Sequence, residues 1–272
     1  MTINCAGTLV DLTTPKIMGI LNLTPDSFYD GGKYRDKNSM IHQVNRMLFE
    51  GATFIDVGAY SSRPGADHIS ADEELKRIVP IVTMLKDYFP NAILSIDTFR
   101  STVAAECIAA GAAMINDISA GNLDGHMMET IAKHKVPYIM MHMRGTPQTM
   151  KELTHYEDLL KEMMYYFSEK VAKATQLGIN DLIIDPGFGF AKTIEQNFHL
   201  LKYLDYFKAL KLPLLVGLSR KSTIYKTLDI SPDDALNGTT VLNAIALDRG
   251  ASILRVHDVN EAVQCAKLIS NI

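Results

Sequence analysis

Short apolar runs alternate along the chain with longer segments in which apolar residues recur every three or four positions. The runs occupy residues 17–21, 53–57, 92–96, 113–115, 136–141, 181–184, 214–216 and 253–254. Short runs without regular polar alternation are typical of parallel strands that are buried on both faces. The pattern therefore predicts eight parallel strands separated by amphipathic segments.

The segments between the runs are predicted to be helices. Ser70, with Glu73 three residues later, is a typical helix start, and Pro80 is expected to kink the helix that follows. Apolar stripes with helical spacing cover residues 75–85, 159–171 and 194–204. Glycines, which end helices because they tolerate a positive φ, follow helical patterns at Gly51, Gly111, Gly178 and Gly250.

Eight strand–helix units joined by right-handed crossovers predict an α/β fold, a single (β/α)8 TIM barrel. A length of 272 residues is ordinary for one barrel, so we expect one domain over residues 1–272. A doubly wound open sheet is the alternative, but no GxGxxG motif follows the first predicted strand. The connections after strands one and two, residues 24–38 and 59–70, are long and aperiodic, so we expect them to be lid loops.

Composition and charge narrow the function classes. A formal net charge of -4, without any run of Lys or Arg, argues against a nucleic-acid partner. No apolar run reaches the roughly 18 residues of a membrane span, and no secretory leader pattern is present at the N-terminus. The three cysteines, Cys5, Cys107 and Cys265, form no CxxC pair. We expect free buried thiols and a cytoplasmic protein.

Polar residues follow every predicted strand. In chain order they are Asn22, Asp56, Asp97, Asn116, His142, Asp185, the segment 217–221 after strand seven, and then Arg255 and His257. The C-terminal ends of barrel strands converge on one rim, where active sites are assembled. The sequence therefore predicts a site at this rim.

The charged and polar residues at the predicted rim form two groups according to the strands that they follow. Lys221, Arg255 and His257 follow strands seven and eight, where barrels often bind phosphate. Together with Arg63 they could surround a diphosphate. Hydrogen-bond acceptors and an amide, suited to the N–H edge of a flat heterocycle, come from Asp97, Asn116 and Asp185.

Eight short motifs occur in one order along the chain. They are Gly-Ile-Leu-Asn-Leu-Thr-Pro-Asp-Ser-Phe at 19–28, Ser-Ser-Arg-Pro-Gly-Ala at 61–66, Ser-Ile-Asp-Thr at 95–98, Ile-Asn-Asp-Ile at 115–118, Met-His-Met at 141–143, Ile-Asp-Pro-Gly-Phe-Gly-Phe at 184–190, Gly-Leu-Ser-Arg-Lys at 217–221 and Arg-Val-His-Asp-Val at 255–259. Taken together, they resemble the motifs of the dihydropteroate synthases, a pterin-binding family of folate biosynthesis with a (β/α)8 barrel. The resemblance covers nearly the whole chain.

The resemblance implies a transferase that condenses 6-hydroxymethyl-7,8-dihydropterin diphosphate with p-aminobenzoate, giving 7,8-dihydropteroate and diphosphate. It also implies Mg²⁺ as cofactor, a homodimer built through the last helices, and a sulfonamide target. The catalytic residues that it implies are Asn22, Asp97, Lys221, Arg255 and His257. The pterin would be held by Asp97, Asn116, Met141, Asp185 and Lys221.

The resemblance implies two further groups of site residues. The diphosphate would be bound by Asn22, Arg63, Arg255 and His257, with Asn22 also as the Mg²⁺ ligand. The p-aminobenzoate pocket would be bordered by Ser62, Pro64, Phe190 and Lys221 and closed by Pro25 and Phe28. The chain departs from the family pattern where many members have Gly-Glu-Ser-Thr, because it has Ala-Tyr-Ser-Ser at 59–62. Tyr60 thus replaces a carboxylate, which bears on how the second loop is held.

The chemistry of these substrates favours a dissociative displacement. An aromatic amine is a poor nucleophile, so the enzyme gains most by stabilising the departing diphosphate with Mg²⁺, Arg and His. The pterin methylene that remains is a delocalised cation, and Asp97 is a suitable anion beside it. No covalent enzyme intermediate is then needed.

Three other functions are weighed against this one. A pterin-binding methyltransferase could share the acceptor set but has no use for the cations of a diphosphate site. A Schiff-base aldolase would need a lysine inside a strand, and none of the eight runs contains one. An inactive homologue kept as a binding protein should have lost a site residue, and none is lost. Diphosphate release on mixing both substrates would separate these options.

Overall fold

A computed structural model describes residues 1–23, 37–61 and 68–272. Its strands, in chain order, are β1 (Thr2–Cys5), β2 (Thr8–Asp11), β3 (Lys16–Asn22), β4 (Phe54–Gly58), β5 (Ile93–Asp97), β6 (Met114–Asp117), β7 (Tyr138–Met141), β8 (Leu182–Asp185), β9 (Leu215–Val216) and β10 (Ile253–Val256). The last eight form one parallel sheet in the order β8-β7-β6-β5-β4-β3-β10-β9. A bridge between Ile184 and Leu214 joins its two ends. The sheet therefore closes into the predicted TIM barrel, and the open-sheet alternative is wrong.

Helices follow the barrel strands, as the apolar stripes predict. They are α1 (Lys37–Phe49), α2 (Ala71–Tyr88), α3 (Ser101–Ala109), α4 (Met127–His134), α5 (Leu159–Gln176), α6 (Ile194–Lys202), α7 (Ser222–Leu228), α8 (Leu236–Asp248) and α9 (Val259–Ile269), with 3-10 turns at Met150–Glu152 and Leu204–Leu210. The Ser70 hydroxyl accepts the amide of Glu73 at 3.1 Å, so the predicted cap of α2 is confirmed. The helix contains Pro80, and the kink expected there stays a prediction. In the ranges 1–23, 37–61 and 68–272, no helix combines the length and the apolar character of a membrane span.

The predicted glycines stand where helices end. Gly51, Gly111, Gly178 and Gly250 all have positive φ, between 82° and 106°. Helices α4 and α7 end at Lys135 and Asp229, and the 3-10 turn Leu204–Leu210 ends at Lys211, all with φ from 53° to 56°. These residues accept a strained conformation that sequence spacing does not reveal. At these positions the need to turn the backbone thus outweighs the preference of Lys and Asp for a negative φ.

A hairpin that the sequence pattern does not predict covers one end of the barrel. β1 and β2 pair antiparallel, and Ile3, Cys5, Val10 and Leu12 pack on the inward side chains of the barrel strands. Those side chains include Met18, Phe54, Met114, Ile139, Ile183, Leu215 and Ile253. Strands of four residues give too short a pattern to identify from sequence. The hairpin and this apolar layer fill the N-terminal part of the barrel, which leaves the C-terminal ends of the strands open.

Candidate active site

A cavity of about 530 Å³ opens at the C-terminal ends of the barrel strands. Six of the predicted site residues line it: Asn22, Asp97, Phe190, Lys221, Arg255 and His257. They come from β3, β5 and β10 and from the loops after β8, β9 and β10. The convergence predicted from the strand ends therefore holds for five of them, and Phe190 is the one that the family resemblance alone had indicated.

Arg255 occupies the centre of a charged network at this cavity. Its Nε donates to Asp56 Oδ2 at 2.6 Å, and its Nη2 donates to Asp97 Oδ2 at 2.8 Å. Asn116 Nδ2 donates to the same oxygen of Asp56 at 3.1 Å. Four strands, β4, β5, β6 and β10, are thus joined through polar residues near their C-terminal ends.

Burial sets the protonation of this network. It raises the pKa of Asp97 to about 7, although Arg255 acts in the opposite direction. Burial also lowers the pKa of Arg255, but the carboxylates of Asp56 and Asp97 outweigh it and raise that pKa above its ordinary value. Arg255 therefore stays charged, and Asp97 can change its charge near neutral pH.

Asp56 belongs to this network, a place for which no role was assigned from the sequence. It is fully buried, and its Oδ1 accepts no hydrogen bond from the residues that the structure describes. A buried carboxylate oxygen without a donor is costly. The signal for Asp56 was present in its place at a strand end, the same place that identified Asp97.

Lys221 connects the loops after β8 and β9. Its Nζ donates to the carbonyl of Phe188 and lies 5.0 Å from the ring centroid of Phe190. Burial lowers the pKa of Lys221 to about 8, while the nearby Asp185 raises it. For Asp185, burial raises the pKa and Lys221 lowers it. The two groups therefore influence each other's charge electrostatically beside the cavity.

Three predicted pterin residues lie beneath the cavity lining rather than in it. Asn116 is 4% exposed, Asp185 is 6% exposed and Met141 is 3% exposed. Asn116 reaches Arg255 through Asp56, and Met141 pairs with Asp185 in the β7–β8 register. They are therefore neighbours of the lining residues.

His257 is exposed at the mouth of the cavity. Its amide donates to Ser219 Oγ at 3.2 Å, and its Nδ1 lies 3.1 Å from the same oxygen. The neighbouring Asp258 binds Arg220 through two bonds of 2.9 Å. The imidazole is thus fixed at one nitrogen and directed by the loop after β9.

Five predicted residues lie outside the described residues: Pro25, Phe28, Ser62, Arg63 and Pro64. Their roles stay predictions, as do the lid loops. Tyr60, the departure from the family pattern, is described and lines the cavity. Its hydroxyl accepts from Gln148 Nε2 at 2.9 Å and lies 3.2 Å from His68 Nδ1. The tyrosine hydroxyl therefore contacts Gln148 and His68 at a position where many family members have a carboxylate.

Asn22 suits the hard cation that the resemblance implies. It ends β3, lines the cavity and offers an amide oxygen. In the part of the chain that the structure describes, no group of three His, Cys, Asp or Glu could hold a metal ion. Mg²⁺ usually takes only one or two protein ligands and completes its shell with phosphate oxygens and water. The donor set fits Mg²⁺ that arrives with a diphosphate.

Comparisons with known proteins give the same picture. A family model described as pterin binding enzyme matches residues 18–257. A dihydropteroate synthase of Synechocystis sp. is 47% identical, with 93% of this chain and 88% of that protein aligned. One of Escherichia coli K12 is 43% identical, over 97% of this chain and 93% of that protein. The crystal structure of the Yersinia pestis dihydropteroate synthase with a sulfonamide drug is 40% identical and superposes with a TM-score of 0.94, covering 100% of this chain and 98% of that one.

The barrel, its rim and these matches define the class of the protein. The chain belongs to the family of pterin-binding enzymes. Within that family it stands with the dihydropteroate synthases, which are transferases of folate biosynthesis.

Proposed function

We propose that this chain condenses 6-hydroxymethyl-7,8-dihydropterin diphosphate with p-aminobenzoate by a dissociative displacement, and that residues 1–272 act as one domain. The observation that carries the proposal is the set of charged groups at the cavity. Lys221, Arg255 and His257 line it together with Asp97, and Arg255 is held by Asp97 and by the buried Asp56. Cationic and polar donors suit an anionic leaving group, and carboxylate acceptors suit the N–H groups of a pterin ring.

The pterin would bind over the buried acceptors. Asn116, Asp185 and Lys221 would pair with the ring edge, and Met141 would pack against the ring. We add Asp56 to this set, because its Oδ1 accepts no bond from the described residues and an N–H of the pterin would satisfy it. Asp97 would lie beside the methylene from which the diphosphate departs.

The diphosphate would bind at Asn22, Arg63, Arg255 and His257. Mg²⁺, held by Asn22 and by diphosphate oxygens, would supply additional neutralisation of the leaving group. Arg255 is oriented for this task before the substrate arrives, because two carboxylates fix its guanidinium. Such preorganised charge is usually the largest contribution to catalysis.

p-Aminobenzoate would bind against Phe190 and Lys221, with Ser62, Pro64, Pro25 and Phe28 completing the pocket. The ammonium of Lys221 lies 5.0 Å from the centroid of the Phe190 ring. From there it would bind either the carboxylate or the aromatic ring of p-aminobenzoate. The Yersinia pestis protein binds a sulfonamide drug. We propose the same pocket as a sulfonamide site here, competitive with p-aminobenzoate.

The direct test is product formation by the purified protein. With Mg²⁺ and both substrates we expect dihydropteroate and diphosphate in equal amounts, and no product when p-aminobenzoate or Mg²⁺ is omitted. Chromatography of the pterin and a coupled diphosphate assay measure the two products. Absence of diphosphate with both substrates present would refute the proposal and favour a methyltransferase or an inactive homologue.

The pH dependence of kcat/KM should be bell-shaped. Asp97 acts as an anion, so activity should rise as pH passes its raised pKa of about 7. Lys221 acts as a cation, so activity should fall as pH passes its lowered pKa of about 8. Initial rates between about pH 5.5 and 9.5 measure both limbs. In Lys221→Arg the descending limb should move to higher pH, since arginine stays protonated; an unmoved limb would contradict the assignment.

We also propose a cytoplasmic homodimer. The three cysteines are free and buried, which suits a reducing compartment. On α8 and α9, Val241, Ile245 and Leu268 are exposed apolar residues beside a shallow groove of about 260 Å³. Sedimentation measurements should find twice the chain mass, and Leu268→Glu should shift the protein toward the monomer.

A further inference from the structure

A buried lysine, Lys192, lies close to the site and has no role in the proposed reaction. Lys192 follows β8 and is only 8% exposed. Its Nζ donates to the carbonyls of Gly187 and Phe190, both at 3.0 Å, and lies 3.1 Å from Nδ1 of His142. A buried ammonium is costly unless such partners compensate it.

The contacts of Lys192 do not depend on a single charge state. Burial lowers the pKa of Lys192 to about 7, with Asp185 opposing that shift and Lys221 and Arg144 adding to it. Burial, together with Lys192 itself, lowers the pKa of His142 well below its usual value. A charged lysine donates three hydrogen bonds, and a neutral one donates two and accepts one from the other tautomer of the neutral imidazole. The three partners are therefore satisfied in both states.

The segment that Lys192 binds, residues 187–190, contains two glycines in a backbone conformation that other residues disfavour. Gly187 and Gly189 have φ of +70° and +81°, a region that favours glycine. A side chain at Gly187 would come within 2.2 Å of the His142 carbonyl. The backbone of the segment therefore packs directly on the end of β7, where Lys192 and His142 meet.

Two lysines hold this segment by its carbonyl groups. Lys192 binds the oxygens of Gly187 and Phe190, and Lys221 binds the oxygen between them, that of Phe188. Phe190 and Lys221 both line the cavity. A displacement of the segment would thus move the ring of Phe190 and remove the acceptor that fixes Lys221.

We propose that Lys192 is a positioning residue that sets the Phe190–Lys221 wall of the cavity for the aromatic amine substrate. This inference rests on the proposed function, in which that wall borders p-aminobenzoate. Lys192 does not line the cavity, and it acts through the carbonyls that it holds.

The substitution Lys192→Met tests the inference, because it keeps the length of the side chain and removes its donors. We expect the KM for p-aminobenzoate to rise about tenfold, in line with a displaced binding wall. The KM for the pterin diphosphate should change less than about twofold. A purely structural role would lower the melting temperature and the active fraction, yet leave both KM values unchanged, and that result would overturn the inference.

Lys86→Met is the matched control. The Nζ of Lys86 also binds two carbonyls, those of Pro90 at 2.6 Å and Ala92 at 3.0 Å, but at the N-terminal side of β5, the opposite end of the barrel. It should lower thermal stability without changing either KM. Should Lys192→Met fail to fold, Lys192→Gln, which keeps an amide donor, enters the same assays with the same criteria.

A double-mutant cycle with Phe190→Ala tests the route of the effect. If Lys192 acts through Phe190, the two losses in kcat/KM for p-aminobenzoate should be less than additive. Fully additive losses would overturn the route. Turnover of the unmodified protein is measured first, so that its absence refutes the proposed function, whereas normal turnover with unchanged constants in the variant refutes the inference alone.

Discussion

The substitution Asp97→Asn should lower kcat by about a thousandfold while changing the KM for the pterin diphosphate less than about fivefold. The amide keeps the shape of the side chain and can still meet Arg255, but it removes the anion beside the methylene that becomes positive. Such a loss is confined to the transition state, so it appears in kcat. Steady-state rates with each substrate varied in turn measure the separation.

The control for this change is Asp124→Asn. Asp124 is likewise a hydrogen-bond acceptor, for the backbone amides of Ser101 and His126, and it does not line the cavity. The control replaces a carboxylate by an amide in the same way, and it should retain kcat. Unchanged turnover in Asp97→Asn would refute the anionic role, and an equal loss in both variants would assign the effect to folding instead.

Strand ends carried most of what the sequence could predict about the site. The apolar runs place Asn22, Asp97 and Arg255 each at the last positions of a buried parallel strand, and closure of a barrel brings such positions together whatever their separation in sequence. That is why residues from β3, β5 and β10 line one cavity. The resemblance then supplied roles, since position alone gives no substrate.

Which of the rim residues bond to one another was not predictable in the same way. Asp56 stands at a strand end like Asp97, yet only the packed barrel shows that Arg255 bridges the two carboxylates. Lys192 follows a glycine-rich loop, where a lysine is ordinarily solvated. Its burial results from how the 187–190 segment packs on His142, a tertiary contact without a sequence period.

The second large effect is expected from Arg255→Met. Arg255 is the partner of Asp56, which is fully buried, and of Asp97. Removing one member of a buried charge network leaves its partners uncompensated, which typically costs about 3–5 kcal/mol in the free energy of unfolding. Urea unfolding at neutral pH measures that cost, and diphosphate release should be lost as well.

The pH dependence of this cost identifies its cause. Burial raises the pKa of Asp97 and Arg255 lowers it, so the variant should have a still higher pKa at Asp97. A carboxyl whose folded pKa lies above its unfolded value destabilises the folded state at high pH and ceases to do so once it is protonated in both states. The deficit relative to the unmodified protein should therefore narrow as pH falls from about 8 to about 5.

Two further variants separate charge from geometry. Arg220→Met breaks the ion pair with Asp258, whose side chain is 19% exposed, and should cost only about 1 kcal/mol, as partly exposed pairs do. Arg255→Lys restores a positive charge but offers no planar fork to join Asp56 and Asp97, so it should recover stability without recovering turnover. A deficit in Arg255→Met that is independent of pH would mean that lost packing, rather than two unpaired carboxylates, destabilises the barrel. Full activity in Arg255→Lys would show that the bridging geometry is dispensable and that charge alone at the cavity floor supports departure of the diphosphate.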